Sequence, residues 1–143
     1  MEIRKILVPT DGSVFTDDAL DAATYIAKMA GATITVVNVI DRASVIDMPL
    51  ESYDDTITMA LNREADKMTS YAVDRIRGQG IEADRKILAG SPADAIAEES
   101  ENYDMIIMSS LGRTGMRKYL IGSVAEKVVR SAKCPVTIIR GHQ

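Results

Sequence analysis

The sequence predicts a single-domain α/β protein with a five-stranded parallel sheet, doubly wound by helices on both faces. The 143 residues match the usual size of one domain. Short β-branched runs alternate with amphipathic stretches along the whole chain. That alternation requires crossover helices, and such helices place the strands that they connect parallel to each other.

The chain opens with a predicted strand and helix. The apolar run over residues 3–8 stops at Pro9 and leads into turn residues, which indicates a buried strand followed by a loop. Thr16 is the predicted N-cap of a helix over 17–30, because aspartates follow it and apolar residues then recur at helical spacing as far as Gly31.

A second strand and a long helix follow. Residues 32–40 are nearly all strand formers, and they are too few to cross a membrane. Residues 41–54 predict a loop of mixed polarity. Apolar residues then repeat every three or four positions over 57–76, which predicts an amphipathic helix that ends before Gly78.

The third and fourth strands enclose a short helix. Residues 81–88 alternate apolar and polar positions, as expected of a strand with one more exposed face. Ser91 and Pro92 suit an N-cap and a first helical position, so a short helix is predicted from there to about Asn102. The compact apolar run over 105–108 predicts a central strand.

The last predicted elements are a helix over 124–132 and a strand over 136–139. Ser123 and Glu126 stand at the spacing of a capping box at the start of this helix. The strand follows Pro135 directly, and we expect it at an edge of the sheet, where its outer backbone groups need protection.

Composition excludes several classes of function. The formal net charge of −4 and the pI near 5.0 have the wrong sign for a protein that coats nucleic acid or an anionic membrane. The single cysteine, Cys134, excludes an internal disulfide and a multi-thiolate metal centre. No apolar run reaches the roughly 18 residues of a membrane span, and the N-terminus lacks the apolar core of a secretory signal, so a cytoplasmic location is expected.

Three loops are predicted to form the functional site. Ligands of doubly wound sheets bind beyond the carboxyl ends of the strands, at the point where the strand order reverses. If the first and fourth strands are central neighbours, the loops over 9–13 and 109–123 face each other there, beside the loop that starts at Val39.

The loop over 109–123 has the features of an anion site. No acidic residue occurs between Met105 and Ala125, although the whole protein is acidic. The loop contains three cations and three glycines, namely Arg113, Arg117, Lys118, Gly112, Gly115 and Gly122. Glycines let backbone N–H groups approach a phosphate, and the helix that starts beyond Gly122 offers its N-terminus. The P-loop motif and the dinucleotide-binding glycine motif do not occur in the sequence.

Five segments together carry a family resemblance: ILVPTDGS at 6–13, VNVI at 37–40, GRTG at 112–115, GSVAEKVV at 122–129 and CPV at 134–136. They resemble the universal stress protein family, in its ATP-binding branch, and the similarity spans essentially the whole chain. The resemblance implies a Rossmann-like fold of the adenine nucleotide alpha hydrolase type, with one nucleotide-binding domain over 1–143. It also implies a homodimer that binds ATP or another adenine nucleotide, with Mg²⁺ accompanying the phosphates.

The resemblance further implies which residues bind the nucleotide. Asp11 would approach the ribose or a phosphate-bound Mg²⁺, and the Val39 backbone would read the adenine edge. The phosphates would be held by Gly112, Gly122, Ser123 and Val124, and the full predicted set is Pro9, Thr10, Asp11, Val39, Ser109, Gly112, Arg113, Gly115, Gly122, Ser123 and Val124. Two positions depart from the family pattern, since Ser109 stands in place of the first motif glycine and Leu111 in place of a frequent histidine.

Three functions remain open at this level. The leading interpretation is an ATP-binding stress-response protein, a homodimeric sensor or regulator that pairs through its last strand, Val136 to Arg140. The alternatives are a weak ATP hydrolase or phosphoryl-transfer enzyme, for which the sequence offers no obvious general base, and a partner-binding scaffold without nucleotide. Asp11 and Ser123 also have structural interpretations, as the cap of a turn and as half of a capping box, and the loop cations as a solvated face.

Overall fold

The computed structural model describes residues 1–41, 55–111 and 121–141, in which strands and helices alternate as predicted. The strands are β1 (Lys5–Pro9), β2 (Thr33–Asp41), β3 (Ala83–Gly90), β4 (Met105–Ser109) and β5 (Val136–Ile139). The helices are α1 (Phe15–Ala30), α2 (Asp55–Arg77), α3 (Pro92–Glu99) and α4 (Ser123–Ser131). Apart from Asp41, which closes β2, the predicted loop over 41–54 lies outside the described residues.

All strands of the described sheet are parallel, in the order β3-β2-β1-β4-β5. Central β1 pairs with β2, where Lys5 lies opposite Thr33, and with β4, where Ile6 lies opposite Met105. The chain winds from β1 outwards to β3, crosses back to β4 and winds the other way to β5. The strand order therefore reverses between β1 and β4, which confirms the doubly wound class and the predicted central pair.

Alternating side chains along the strands build a core on each face of the sheet. In β1, Ile6 and Val8 belong to the core on one face and Leu7 to the core on the other, and all three have 0% exposure. Residues of α1 and α2 complete the first core, and residues of α3 and α4 complete the second. Because both faces are covered, the central strands read as nearly continuous apolar runs.

The start of α1 differs from the sequence prediction. The helix begins at Phe15, with Val14 at the N-cap position and no side-chain cap. Thr16, the predicted N-cap, lies buried inside the first turn, where its Oγ1 donates to Asp11 Oδ1 at 3.3 Å. The N-cap prediction is therefore wrong, because this hydroxyl ties the helix to the preceding loop instead of capping the helix backbone.

The capping box predicted at Ser123 and Glu126 is also wrong. Gly122 is the N-cap of α4, and Ser123 is the first helical residue. The Glu126 carboxylate accepts from Arg130 Nη2 at 2.8 Å, one turn further along the helix, instead of reaching back to the N-terminus. The residue spacing is that of a capping box, but the chain enters the helix one position earlier than a capping box requires.

The other two helices agree with the sequence. Ser91 is at the N-cap of α3 and Pro92 is its first residue. A 3-10 turn, Ser100–Asn102, extends α3 to the predicted end. Helix α2 covers the predicted amphipathic stretch with one or two more residues at each end. Within the described ranges, no helix combines the length and apolarity needed to cross a bilayer.

Candidate functional site

A cavity of about 410 Å³ lies at the carboxyl ends of β1, β2 and β4, where the strand order reverses. The structure brings together around it the predicted site residues Pro9, Thr10, Asp11, Val39, Ser109, Gly122, Ser123 and Val124. The remaining predicted residues, Gly112, Arg113 and Gly115, lie outside the described residues. The cavity volume falls within the usual range for small-molecule sites, about 300 to 1,000 Å³.

The loop between β1 and α1 is held by its own side chains. Thr10 Oγ1 accepts from Gly12 N at 3.1 Å. Asp11 Oδ1 accepts from Ser13 N at 2.9 Å and from Thr16 Oγ1 at 3.3 Å. Asp11 therefore does cap the turn, and it also borders the cavity. The structural and ligand-binding interpretations of this residue are compatible.

The geometry of β2 directs the backbone of Val39 towards the cavity. In a parallel strand the N–H and C=O of one residue face the same neighbouring strand, and successive residues face opposite neighbours. The Val37 carbonyl accepts from Thr10 N at 2.8 Å, so Val37 faces β1 and Val39 faces the same side. Strand β1 ends at Pro9, opposite Val37. The backbone N–H and C=O of Val39 therefore point to the β1 side of the strand, at a level beyond the last paired residue of β1.

Asn38 also borders the cavity, although it was not among the predicted site residues. It is 6% exposed, and its Nδ2 donates to the Thr10 carbonyl at 2.8 Å. The available signal was a polar residue in the middle of an apolar strand, since a buried amide requires a specific partner.

Ser109 replaces the first motif glycine without backbone strain. None of the described residues other than glycine has a positive φ, so this position does not need glycine for its conformation. The Ser109 Oγ accepts from Leu111 N at 3.2 Å and shapes the start of the loop. Leu111, the second departure from the family pattern, is 8% exposed and forms part of the apolar lining.

The N-terminus of α4 opens onto the same cavity. The first hydrogen bond within the helix runs from Glu126 N to the Gly122 carbonyl at 2.9 Å. Helical geometry therefore leaves the N–H groups of Ser123, Val124 and Ala125 without acceptors inside the helix. All three residues border the cavity. Because a helix N-terminus carries partial positive charge, this wall of the cavity favours an anion.

Gly122 sits where a side chain would collide with the loop after β4. Its N–H donates to the Ser110 carbonyl at 2.7 Å. A Cβ at this position would lie 3.0 Å from that same carbonyl oxygen. The glycine therefore allows the N-terminus of α4 to pack directly against the end of β4.

The remaining wall of the cavity is largely apolar. It is formed by side chains from β2, β4, α3 and the loop after β4, namely Val37, Val39, Ile96, Met108 and Leu111. Among the described lining residues the charged side chains are Asp11 and Asp41. The predicted loop cations lie in the part of the chain outside the description. The described cavity thus combines an apolar slot, two carboxylates and a positive helix terminus.

Among the described residues, the groups with displaced pKa values lie outside the cavity lining. Backbone N–H groups of Arg4 and Lys5 both donate to Asp104 Oδ2 at 2.9 Å and lower the pKa of that carboxyl. The hydrogen bond from Lys86 to Glu99 raises the pKa of the lysine. These displacements come from contacts that join the edges of neighbouring elements, so they report on the scaffold and not on the cavity.

The fold and the cavity define a doubly wound α/β protein with a ligand crevice at its topological switch point. Residues 2–140 match the sequence model of the universal stress protein family. The chain therefore belongs to this family, as the resemblance of its motifs indicated.

Individual relatives agree with this membership. The chain is 32% identical over 139 residues to a universal stress protein of Methanocaldococcus jannaschii, covering 96% of this chain and 82% of the relative. Among solved structures it is similar to the hypothetical protein MJ0577, with a TM-score of 0.87 and 26% identity over 100% of this chain and 99% of that one. A universal stress protein from Archaeoglobus fulgidus, solved in complex with dAMP, has a TM-score of 0.68 at 24% identity, over 97% of this chain and 99% of that one.

Proposed function

We propose that this protein binds an adenine nucleotide, with ATP and Mg²⁺ as the preferred form, in the cavity at the carboxyl end of the sheet. In this proposal it acts in the cytoplasm as a homodimeric, nucleotide-dependent sensor or regulator of a stress response. The observation that carries the proposal is the convergence of an apolar slot, the Val39 backbone, Asp11 and the α4 N-terminus on one cavity. The dAMP complex of the Archaeoglobus relative supports an adenine nucleotide as the ligand.

Recognition of adenine is assigned to the Val39 backbone. Adenine offers an acceptor at N1 beside a donor at its N6 amine, so it matches an N–H and a C=O presented together. Guanine carries an acceptor, O6, where adenine carries the N6 donor. The apolar side chains beside Val39 suit the faces of the base. We therefore expect a preference for adenine over guanine.

The phosphates are assigned to the N-terminus of α4. The N–H groups of Ser123, Val124 and Ala125 form the part of the cavity wall that carries partial positive charge, which favours phosphate binding there.

Mg²⁺ is assigned to Asp11, because a single carboxylate together with phosphate oxygens is a common magnesium site in nucleotide-binding proteins. No group of three or more His, Cys, Asp or Glu side chains among the described residues is placed to hold a metal by itself. A metal here would therefore arrive with the nucleotide.

Titration calorimetry with ATP, AMP and GTP, each with and without Mg²⁺, tests the ligand. We expect heat with both adenine nucleotides, tighter binding of ATP in the presence of Mg²⁺, and markedly weaker binding of GTP. Equal affinity for ATP and GTP would overturn the role of the Val39 backbone. If no nucleotide binds to a folded sample, the proposal fails and the partner-binding scaffold is favoured. Phosphate released from bound ATP at a measurable rate would favour the weak hydrolase.

A matched pair of variants tests the location of the phosphates. Val124→Asp places a carboxylate beside the proposed phosphate site, in the first turn of α4, where an acid is tolerated by the helix dipole. Val129→Asp makes the same chemical change on the same helix, at a 50% exposed position outside the cavity lining. We expect Val124→Asp to weaken ATP binding about tenfold or more and Val129→Asp to change it less than about twofold. If the two variants bind ATP with equal affinity, the phosphates do not lie beside the N-terminus of α4.

The homodimer is assigned to β5, which is an edge strand of the described sheet. Ile106 N donates to the Pro135 carbonyl and Ser110 N to the Ile139 carbonyl, so odd-numbered residues of β5 face β4. The backbone groups of Val136 and Ile138 therefore point outwards, where a second copy can pair with them about a two-fold axis. Sedimentation at micromolar concentration should give twice the mass of 15.5 kDa, and a monomer would overturn this assignment.

A further inference from the structure

Both backbone groups of Thr10 are tied to β2, by two different means. Thr10 N donates to the Val37 carbonyl at 2.8 Å, which extends the β1–β2 ladder by one bond. The Thr10 carbonyl accepts from the Asn38 side chain, also at 2.8 Å. The paired residues of β1 end at Pro9, so a side chain supplies the bond that a continued backbone ladder would have supplied.

We propose that Asn38 is a positioning residue for nucleotide binding, an inference that rests on the proposed function. Asn38 is adjacent to Val39 on β2, and Thr10 is adjacent to Asp11 on the loop. The hydrogen bond from Asn38 to Thr10 therefore sets the distance between the Val39 backbone, which reads the base, and the Asp11 carboxylate, which meets the ribose or the magnesium ion. Asn38 acts through the loop and need not touch the ligand.

The loop transmits the position of Thr10 to Asp11 because it is internally braced. Thr10 Oγ1 accepts from Gly12 N, and Asp11 Oδ1 accepts from Ser13 N. A shift of the Thr10 peptide therefore carries the Asp11 carboxylate with it. Thr10 is 7% exposed, so water has little access to replace a lost partner of its carbonyl.

Only a hydrogen-bond donor satisfies the Thr10 carbonyl, so the side chain at position 38 must donate. Alanine removes the donor. Aspartate keeps the shape of the side chain but, when ionised, points a second acceptor at the carbonyl oxygen; when protonated it can donate again. The Asn38→Asp variant is therefore a titratable version of the same contact.

The first experiment compares ATP affinity, measured by calorimetry with Mg²⁺, in the wild type, in Asn38→Ala and in the control Ser100→Ala. Ser100 has 0% exposure, its Oγ donates to the Ala97 carbonyl at 2.5 Å and accepts from Lys133 N at 2.8 Å, and it does not border the cavity. Both variants lose a buried hydrogen-bonding group, so both should melt earlier than the wild type. We expect Asn38→Ala to bind ATP about five- to tenfold more weakly and Ser100→Ala to stay within about twofold of the wild type.

The second experiment follows the affinity of Asn38→Asp relative to the wild type between about pH 8 and pH 5.5. Burial raises the pKa of a carboxyl at this position, so protonation within this range restores the donor. The described titratable side chains that border the cavity, Asp11 and Asp41, are present in both proteins, so the wild type is measured at each pH as the reference for them. We expect the variant to bind much more weakly at pH 8 and to approach the wild type at low pH. Because an ionised carboxylate that borders the cavity also repels the phosphates, a pH-dependent ratio supports the positioning role only together with weaker binding in the uncharged variant Asn38→Ala. A role limited to fold stability leaves Asn38→Ala within about twofold of the wild type.

The outcomes separate this inference from the function on which it rests. If the wild type binds ATP and Asn38→Ala binds it with the same affinity, the positioning role is overturned and the proposed function stands. The same holds if the affinity of Asn38→Asp relative to the wild type does not change with pH. Absence of nucleotide binding by the wild type overturns the proposed function and the positioning role together.

Discussion

Replacing Gly122 by alanine is expected to destabilise the protein more than replacing Ser123 by alanine. A Cβ at Gly122 would lie 3.0 Å from the Ser110 carbonyl oxygen, which already accepts from Gly122 N at 2.7 Å. Ser110 cannot retreat easily, because its own N–H donates to the Ile139 carbonyl at 2.9 Å. The added methyl group therefore strains a contact that is fixed by hydrogen bonds on both sides.

The magnitude follows from this contact. The Gly122 backbone, with φ −59° and ψ 155°, is accessible to alanine, so the cost is steric and not conformational. Overpacking of this kind costs about 1–3 kcal/mol, and for a chain of this size each kcal/mol lowers the melting temperature by roughly 2–4 °C. We expect Gly122→Ala to melt roughly 2–12 °C below the wild type. Ser123 is exposed and does not cap the helix, so Ser123→Ala should cost at most about 0.5 kcal/mol, or roughly 2 °C.

Thermal unfolding followed by circular dichroism measures both variants in one buffer. If Ser123→Ala melts at a lower temperature than Gly122→Ala, Ser123 does cap the helix, and the reasoning from the Ser110 contact is refuted. The same contact changes how a bulkier variant is interpreted. Sequence reasoning alone suggests that Gly122→Val would fill the phosphate site and leave the melting temperature within a few degrees. The structure indicates that it would also strain the loop, which makes Val124→Asp the cleaner test of binding.

Three further predictions concern single side chains. Ser109→Gly removes the acceptor of Leu111 N and adds backbone freedom, so it should cost about 1–2 kcal/mol and lower the melting temperature by roughly 2–8 °C; an unchanged temperature would show that the hydroxyl contributes nothing. Because the pKa of Asp104 is lowered in the folded state, the stability that its charge provides is complete at neutral pH and is lost as pH falls below about 4. Asp104→Asn should therefore differ most from the wild type in melting temperature at pH 7, and a difference that grows on acidification would contradict this. Burial raises the pKa of the Cys134 thiol, so at pH 7 a disulfide reagent should modify it more slowly in the folded protein than in urea, and equal rates would contradict this.

The order of the elements was predictable because it depends on periodicity, which the sequence displays directly. The apolar runs and helical repeats locate every described strand and helix within a few residues. The starts of α1 and α4 were not predicted correctly. Several polar residues with capping chemistry stand close together before α1, whereas at α4 a glycine, Gly122, takes the N-cap position that the spacing assigned to Ser123. Thr16 has a partner in Asp11, and Glu126 has one in Arg130, and those contacts depend on how the loop and the helix are placed.

The candidate site was predictable to the extent that it follows from topology. Loops at the carboxyl ends of β1 and β4 converge once the strand order is known, and the sequence motifs identified residues in both loops. Asn38 was not singled out, because the sequence does not reveal that its amide reaches a carbonyl 28 positions earlier in the chain. The effect of Ser109 was also open, since only the backbone conformation shows that glycine is not required there.

The sequence by itself determined the α/β class, the alternation of elements and the family, because these follow from the spacing of apolar residues and from short motifs. Only the tertiary structure decided which polar groups meet at the end of the sheet. The hydrogen bonds between Asn38 and Thr10 and between Gly122 and Ser110 join residues that are far apart in the sequence. Their geometry exists only after the parallel strands have been brought side by side by the burial of both faces of the sheet.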